Sequence, residues 1–202
     1  MTAWRGSLPL VLASQSKARQ MLLANAGIGF EAVPADIDER TIQQNSGITA
    51  PRDIAGLLAR EKALAVSRQR DQHFVVGADQ TLALGRHMFN KPAGRAQALS
   101  QLKQLAGHSH ELHSAIAVAR AGRILFEHVA VARMTMRKLS EGEIAAYIDE
   151  AGEAVTSSVG AYQLEGLGVH LFERIEGDHF TILGLPLLPL LAFLRSQDLL
   201  AV

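Results

Sequence analysis

The chain contains no cysteine, which removes disulfide frameworks, thiolate metal sites and cysteine nucleophiles at once. Aromatic residues are scarce, with one Trp, two Tyr and seven Phe in 202 residues, so a stacking platform for single-stranded nucleic acid is not expected. Charge of one sign is also missing: 20 Lys and Arg balance 20 Asp and Glu. That balance argues against a general nucleic-acid coat, although a local basic site stays open. No long apolar run occurs. The N-terminal run covers only residues 8–13, and the C-terminal run 183–194 is broken by Pro186 and Pro189. Neither can span a bilayer or serve as a secretory core. A soluble, cytoplasmic protein without membrane or nucleic-acid partners is expected.

What is present is an ordinary globular balance, 48% apolar and 20% charged. A chain of this length buries about 70% of its unfolded surface and suits one domain, 1–202, or two closely joined lobes. Short apolar runs alternate with amphipathic ones. Residues 8–13 read as a buried strand, 15–26 as a helix closed by Gly27, and 30–33 as a strand. Residues 51–68 give the clearest helix, with proline in its first turn and an apolar stripe through Ile54, Leu57, Leu58, Ala65 and Val66. A strand at 73–78 ends at Asp79, a helix follows at 94–105, and strands 111–119 and 124–136 form a hairpin. Ser140 and Glu143 make a capping box, 180–183 reads as a strand, and 186–194 as a terminal helix. The sum is an α/β fold: a mixed central sheet flanked by helices, two lobes around a cleft, with a joint near 149–158.

Several constellations could carry chemistry. Ser14-Gln15-Ser16-Lys17-Ala18-Arg19 follows the first strand and opens a helix. Unpaired N–H groups, hydroxyls and an arginine there suit a phosphate, and would equally serve as caps with a solvated arginine. Asp79, at the end of a buried strand, could hold a metal or act as a base, or satisfy a turn. Asp36-Ile37-Asp38-Glu39 supplies hard oxygen ligands or a solvated loop. Lys62 and Lys91 are isolated lysines, and read as surface charges or anion ligands. His108, His110 and His113 do not share one strand face, which favours a structural histidine over a zinc site. The glycine-rich stretch 157–168 permits close backbone approach, to a ligand or to another strand.

Taken in order, these segments resemble the Maf family of nucleoside triphosphate pyrophosphatases, also called septum-formation inhibitors. The likeness runs from about Leu10 to Leu194. It includes Ser14-x-Ser16-x-x-Arg19, Asp38-Glu39, Lys62, Gly77-Ala78-Asp79, Lys91-Pro92, Gly107 to His110, Ile175-Glu176-Gly177-Asp178 and Gly184-Leu185-Pro186. The resemblance implies a fold related to the inosine-triphosphate pyrophosphatases, a homodimer, and dependence on Mg²⁺ or Mn²⁺. It implies cleavage of a nucleoside triphosphate to monophosphate and pyrophosphate. Ser14, Ser16, Arg19, Lys62 and Lys91 would hold the triphosphate, Glu39 and Asp79 the metal, and Asp79 would act on the attacking water. Gln80 and Glu165 resemble the 7-methyl-GTP branch rather than the dTTP/UTP branch, although Ala18 stands where that branch has tryptophan. A carboxylate at Glu165 could complement the positive charge of a methylated guanine. A non-catalytic regulator of division is the rival from another class.

Overall fold

The computed structural model describes residues 3–201. In chain order the elements are β1 (Leu10–Ala13), α1 (Lys17–Asn25), β2 (Phe30–Ala32), α2 (Glu39–Ser46), α3 (Pro51–Ser67), β3 (Val75–Leu84), β4 (His87–Phe89), α4 (Arg95–Leu105), β5 (Ser109–Arg120), β6 (Arg123–Met136), α5 (Glu141–Ala151), α6 (Ala154–Ser157), β7 (Phe172–Glu176), α7 (His179–Ile182) and α8 (Leu187–Ser196). The seven strands hydrogen-bond in the order β2-β1-β3-β5-β6-β7, with β4 on β3. β1 runs parallel to β2 and β3, whereas β4 and β7 are antiparallel to their neighbours. The sheet is therefore mixed, as the sequence predicts. Among the described residues, no helix is long and apolar enough to cross a membrane.

The chain divides into two compact units. The first holds the chain up to Gln80, Ser114–Ala130 and the segment from His179. The second holds Thr81–His113 and Val131–Asp178. The sequence suggests a joint at 149–158, but those residues lie inside the second unit, and the chain passes between units next to Gln80, His113, Ala130 and Asp178.

In the first unit, alternation along the strands sorts side chains onto two faces. Leu10, Leu12, Val76, Ala78, Ile116 and Val118 pack with Leu22 and Leu23 of α1 and with Leu187, Leu190 and Leu194 of α8. Ala115, Ala117 and Ala119 pack on the opposite face against Ala55, Ala59 and Ala63 of α3. Alanines on both sides let helix and sheet approach closely. A Cβ placed on Gly77 would lie 2.1 Å from the Ala59 carbonyl oxygen, so only glycine fits at that crossing. The predicted hairpin forms at β5 and β6, turning at Ala121 and Gly122 with φ of 48° and 72°. Positive φ at both positions is what a two-residue hairpin turn with matching twist requires.

At two places the structure departs from the sequence expectation. Residues 180–183 are not a strand: α7 covers His179–Ile182. Asp79 does not follow a strand end, because β3 continues through it to Leu84. A charged residue breaks an apolar run in sequence, yet the backbone stays extended because Leu82–Leu84 beyond it pair with β4.

The second unit carries the capping box, with both reciprocal bonds formed between Ser140 and Glu143. It also buries His110, whose Nε2 lies 2.7 Å from the Tyr162 hydroxyl, with Phe172 beside both rings. His110 Nδ1 has no hydrogen-bond partner. Protonating this ring would bury a charge among aromatic groups, so burial lowers its pKa from 6.5 to about 4. Below pH ~6.5 the unfolded chain takes up a proton that the folded chain refuses, down to pH ~4. Stability should therefore fall across that window by about 3 kcal/mol from this group alone. Urea midpoints measured against pH should show a shallower acid slope in His110→Gln, and identical slopes would overturn the assignment.

Candidate active site

α3 buries Ile54, Ala55, Leu58, Ala59, Lys62, Ala63, Val66 and Ser67. These recur at helical spacing, so Lys62 sits in phase with the apolar stripe. The ammonium is thereby carried into the sheet face rather than out to solvent. Because α3 crosses β3 closely at Gly77, Lys62 reaches the side chain two positions further along the same strand face. Lys62 Nζ donates to Asp79 Oδ1 at 2.6 Å. The same Nζ lies 2.8 Å from Glu39 Oε1. Asp79 is 8% exposed, whereas half of the Glu39 side chain is open to solvent.

Glu39 is presented by the first turn of α2. Asp38 caps that helix, accepting from the Thr41 amide at 3.0 Å and the Thr41 hydroxyl at 2.7 Å. Of the acidic cluster 36–39, Asp38 is thus spent on the helix start and Glu39 reaches Lys62. Burial pushes the Asp79 carboxyl above its usual range, and the charges of Lys62 and Arg19 pull it back.

The turn after β1 supplies the other half of the arrangement. Ser16 caps α1 by accepting from the Arg19 amide at 3.4 Å. Ser14 Oγ accepts from the Ser16 amide at 3.3 Å and from Arg19 Nη1 at 3.0 Å. With both acceptor sites used, the Ser14 hydroxyl hydrogen is what remains to donate. Arg19 also donates Nη1 to the Ala78 carbonyl and Nε to the Gly184 carbonyl, each at 2.8 Å. The guanidinium is therefore a clamp across β1, β3 and the loop after α7, not a freely solvated charge. Gly184 has φ of 87°, and a Cβ there would lie 3.3 Å from Arg19 Nε and Nη2.

Gln80, on the opposite face of β3 from Asp79, points its amide nitrogen at Ser114 Oγ (2.8 Å), Ile182 O (3.0 Å) and Thr181 O (3.1 Å). Ser114 Oγ itself donates to Thr181 O at 2.6 Å. These bonds fasten α7, and with it the Gly184 carbonyl, to the strand that carries Asp79. Among the described residues no group of three or more His, Asp or Glu is arranged to hold a metal ion.

Lys91 and Glu165 belong to the second unit and are exposed. Trp4 is committed elsewhere: its indole N–H donates to Leu8 O at 2.8 Å, and its backbone bridges to Leu200.

The profile of the Maf-like protein family matches residues 9–197. The chain belongs to this family. It is 70% identical over the full length of both chains to a protein of Bradyrhizobium diazoefficiens named nucleoside triphosphate pyrophosphatase. A second protein of that name, from Rhodopseudomonas palustris strain BisB18, is 67% identical, again over all of both chains. A protein of Brucella abortus named 7-methyl-GTP pyrophosphatase is 50% identical, covering 95% of this chain and 97% of its own.

In this Maf-like chain the structure brings Ser14, Ser16, Arg19, Glu39, Lys62, Asp79 and Gln80 together in one unit. The residues that sequence reasoning passed over are Ser114, Thr181 and the carbonyls of Ala78 and Gly184. Backbone acceptors leave no trace in side-chain identity. Ser114 could have been found from its parity, since it shares a face of β5 with Ile116 and Val118 yet is polar and fully buried.

Proposed function

We propose that this protein is a nucleoside triphosphate pyrophosphatase, releasing a nucleoside monophosphate and pyrophosphate. The observation that carries this reading is the buried carboxylate of Asp79 beside two cationic side chains, Lys62 and Arg19, at a serine-lined helix start. The names of relatives identical at 67% and 70% over the whole chain support it. Water attacks the α-phosphorus and gives its proton to Asp79. The bond from that phosphorus to the bridging oxygen breaks, and the electron pair leaves with pyrophosphate. The Ser14 hydroxyl and the unused N–H groups of Arg19 face the phosphate oxygens. Lys62 offsets their charge. Such a reaction needs positioning and charge neutralisation more than covalent help.

The carboxylates of Glu39 and Asp79 fit a hard divalent cation, because their oxygens already share one cation, the Lys62 ammonium. Mg²⁺ is commonly held by one or two carboxylates, with substrate phosphates completing the shell. Mg²⁺ or Mn²⁺ would polarise the phosphoryl oxygens and offset charge on the departing pyrophosphate.

The finer reading is a preference for 7-methyl-GTP, supported by Gln80, Glu165 and the Brucella relative. Glu165 would meet the positive charge of the methylated base. Pyrophosphate release from 7-methyl-GTP, GTP, dTTP, UTP and CTP, with Mg²⁺ or Mn²⁺ and with chelator, tests both levels. Metal-dependent release led by 7-methyl-GTP is expected, and Glu165→Gln should reduce that lead about tenfold. Release led by dTTP or UTP would overturn the base preference alone. No release from any nucleotide would overturn the enzymatic reading and favour the binding regulator. A homodimer, as the family resemblance implies, would run at twice the chain mass in sedimentation.

A further inference from the structure

Lys62 and Arg19 both neutralise Asp79, but they are held in different ways. Arg19 is pinned by three acceptors on three segments: Ser14 Oγ, Ala78 O and Gly184 O. Lys62 makes its polar contacts at its tip, 2.6 Å from Asp79 and 2.8 Å from Glu39, while its stem is buried along α3. A four-carbon stem with rotatable bonds lets an ammonium change partners more readily than a guanidinium fixed at three acceptors. The way out lies on the side of Glu39, whose side chain is half exposed on a helix that buries no residue.

We infer that Lys62 is a built-in placeholder for the divalent cation. Its ammonium sits between Glu39 and Asp79 where the metal binds, and it vacates that place for the triphosphate when the metal enters. This rests on the metal-dependent reading above.

Three physical points carry it. Two carboxylates, one of them nearly buried, need a counter-charge at every stage, and the Lys62 ammonium with the Arg19 guanidinium supplies it, two positive charges against two negative. A divalent ion in place of the ammonium leaves the group one charge positive, so the exchange becomes favourable when the anionic triphosphate is there to offset it. Both cations cannot share the place, because an ammonium within ~4 Å of a divalent ion is strongly repelled. The displaced ammonium then needs an anion, and the substrate phosphates supply one. Lys62 thereby makes metal binding weak before substrate arrives and strong afterwards.

The test is Mn²⁺ binding to the full chain without nucleotide, read from the electron paramagnetic resonance signal of free Mn²⁺. Lys62→Met is expected to bind Mn²⁺ at least about tenfold more tightly than the parent, since its competitor is gone. Glu39→Gln introduced into that variant should abolish the gain. The melting temperature of Lys62→Met should drop without metal and recover with Mn²⁺. In case this variant does not fold, the parent alone gives a second measurement: acetylation of Lys62 by acetic anhydride, followed by mass spectrometry, should rise several-fold on adding Mg²⁺. Equal or weaker Mn²⁺ binding by Lys62→Met, with binding by the parent intact, would overturn the placeholder and leave the metal reading standing. Unchanged acetylation under metal saturation would overturn it likewise. Absence of Mn²⁺ binding by parent and variant alike would overturn both.

Discussion

Asp79→Asn should lower the rate of pyrophosphate release by about 10²–10⁴-fold while the far-ultraviolet circular dichroism stays that of the parent. Asparagine keeps the shape of the side chain and can still accept a hydrogen bond from Lys62, so β3 and α3 have no reason to part. It cannot take a proton from water. The same substitution removes one of the two carboxylates beside Lys62, which should cost about 1–3 kcal/mol in urea denaturation. Because burial holds the Asp79 carboxyl above the usual aspartate range, the parent should lose activity on its acid limb at a pH above that of an ordinary aspartate. Turnover within a few-fold of the parent would remove Asp79 from the reaction and return the site to a binding role.

Gly77→Ala should be the most damaging single methyl in the first unit. The added Cβ would lie 2.1 Å from Ala59 O and 2.6 Å from Ala63 N. Both are backbone atoms of α3, so no rotamer change can relieve the clash and the helix itself must lift. A loss of about 3 kcal/mol or more is expected. Since Lys62 rides on that helix, activity should fall further than the unfolded fraction explains. Gly56→Ala provides the comparison, because its Cβ would meet only Val129 Cγ2, at 3.6 Å. That change should be neutral or stabilise by about 0.5–1 kcal/mol, as alanine does in helix interiors. Equal urea midpoints for the two variants would mean that the close crossing is not needed.

Elements with a strong period or a cap are legible in the amino-acid sequence alone. The buried run of β1, the serine start of α1, the long stripe of α3, the β5–β6 hairpin and the Ser140 box all follow from local chemistry. The misreadings share a cause. Residues 180–183, Phe-Thr-Ile-Leu, are too short for periodicity to separate helix from strand, and Ser114 and Gln80 settle the matter by binding carbonyls of α7 from a distance in sequence. The extension of β3 past Asp79 is held by pairing of Leu82–Leu84 with β4, a partner strand that the apolar pattern does not announce. α2 escapes a reading by period because it buries no residue, so it lacks an apolar stripe. For the site, side-chain ligands are legible through their motif order. That Arg19 is a three-way clamp is not, since two of its three partners are carbonyls.

The composition of the first unit has a consequence for synthesis. Its strands β1 to β3 emerge early, yet the carbonyl of Gly184 and the core leucines of α8 belong to the last of its three segments, the one that begins at His179. At about 5–20 residues per second, the ribosome needs roughly 6–22 s to pass from the end of β3 to the end of α8. Throughout that interval Arg19 lacks its Gly184 partner and the apolar face that receives α8 stays uncovered. The first unit therefore closes only when that segment joins it, and the leucine-rich face it leaves open until then is a natural client for a chaperone.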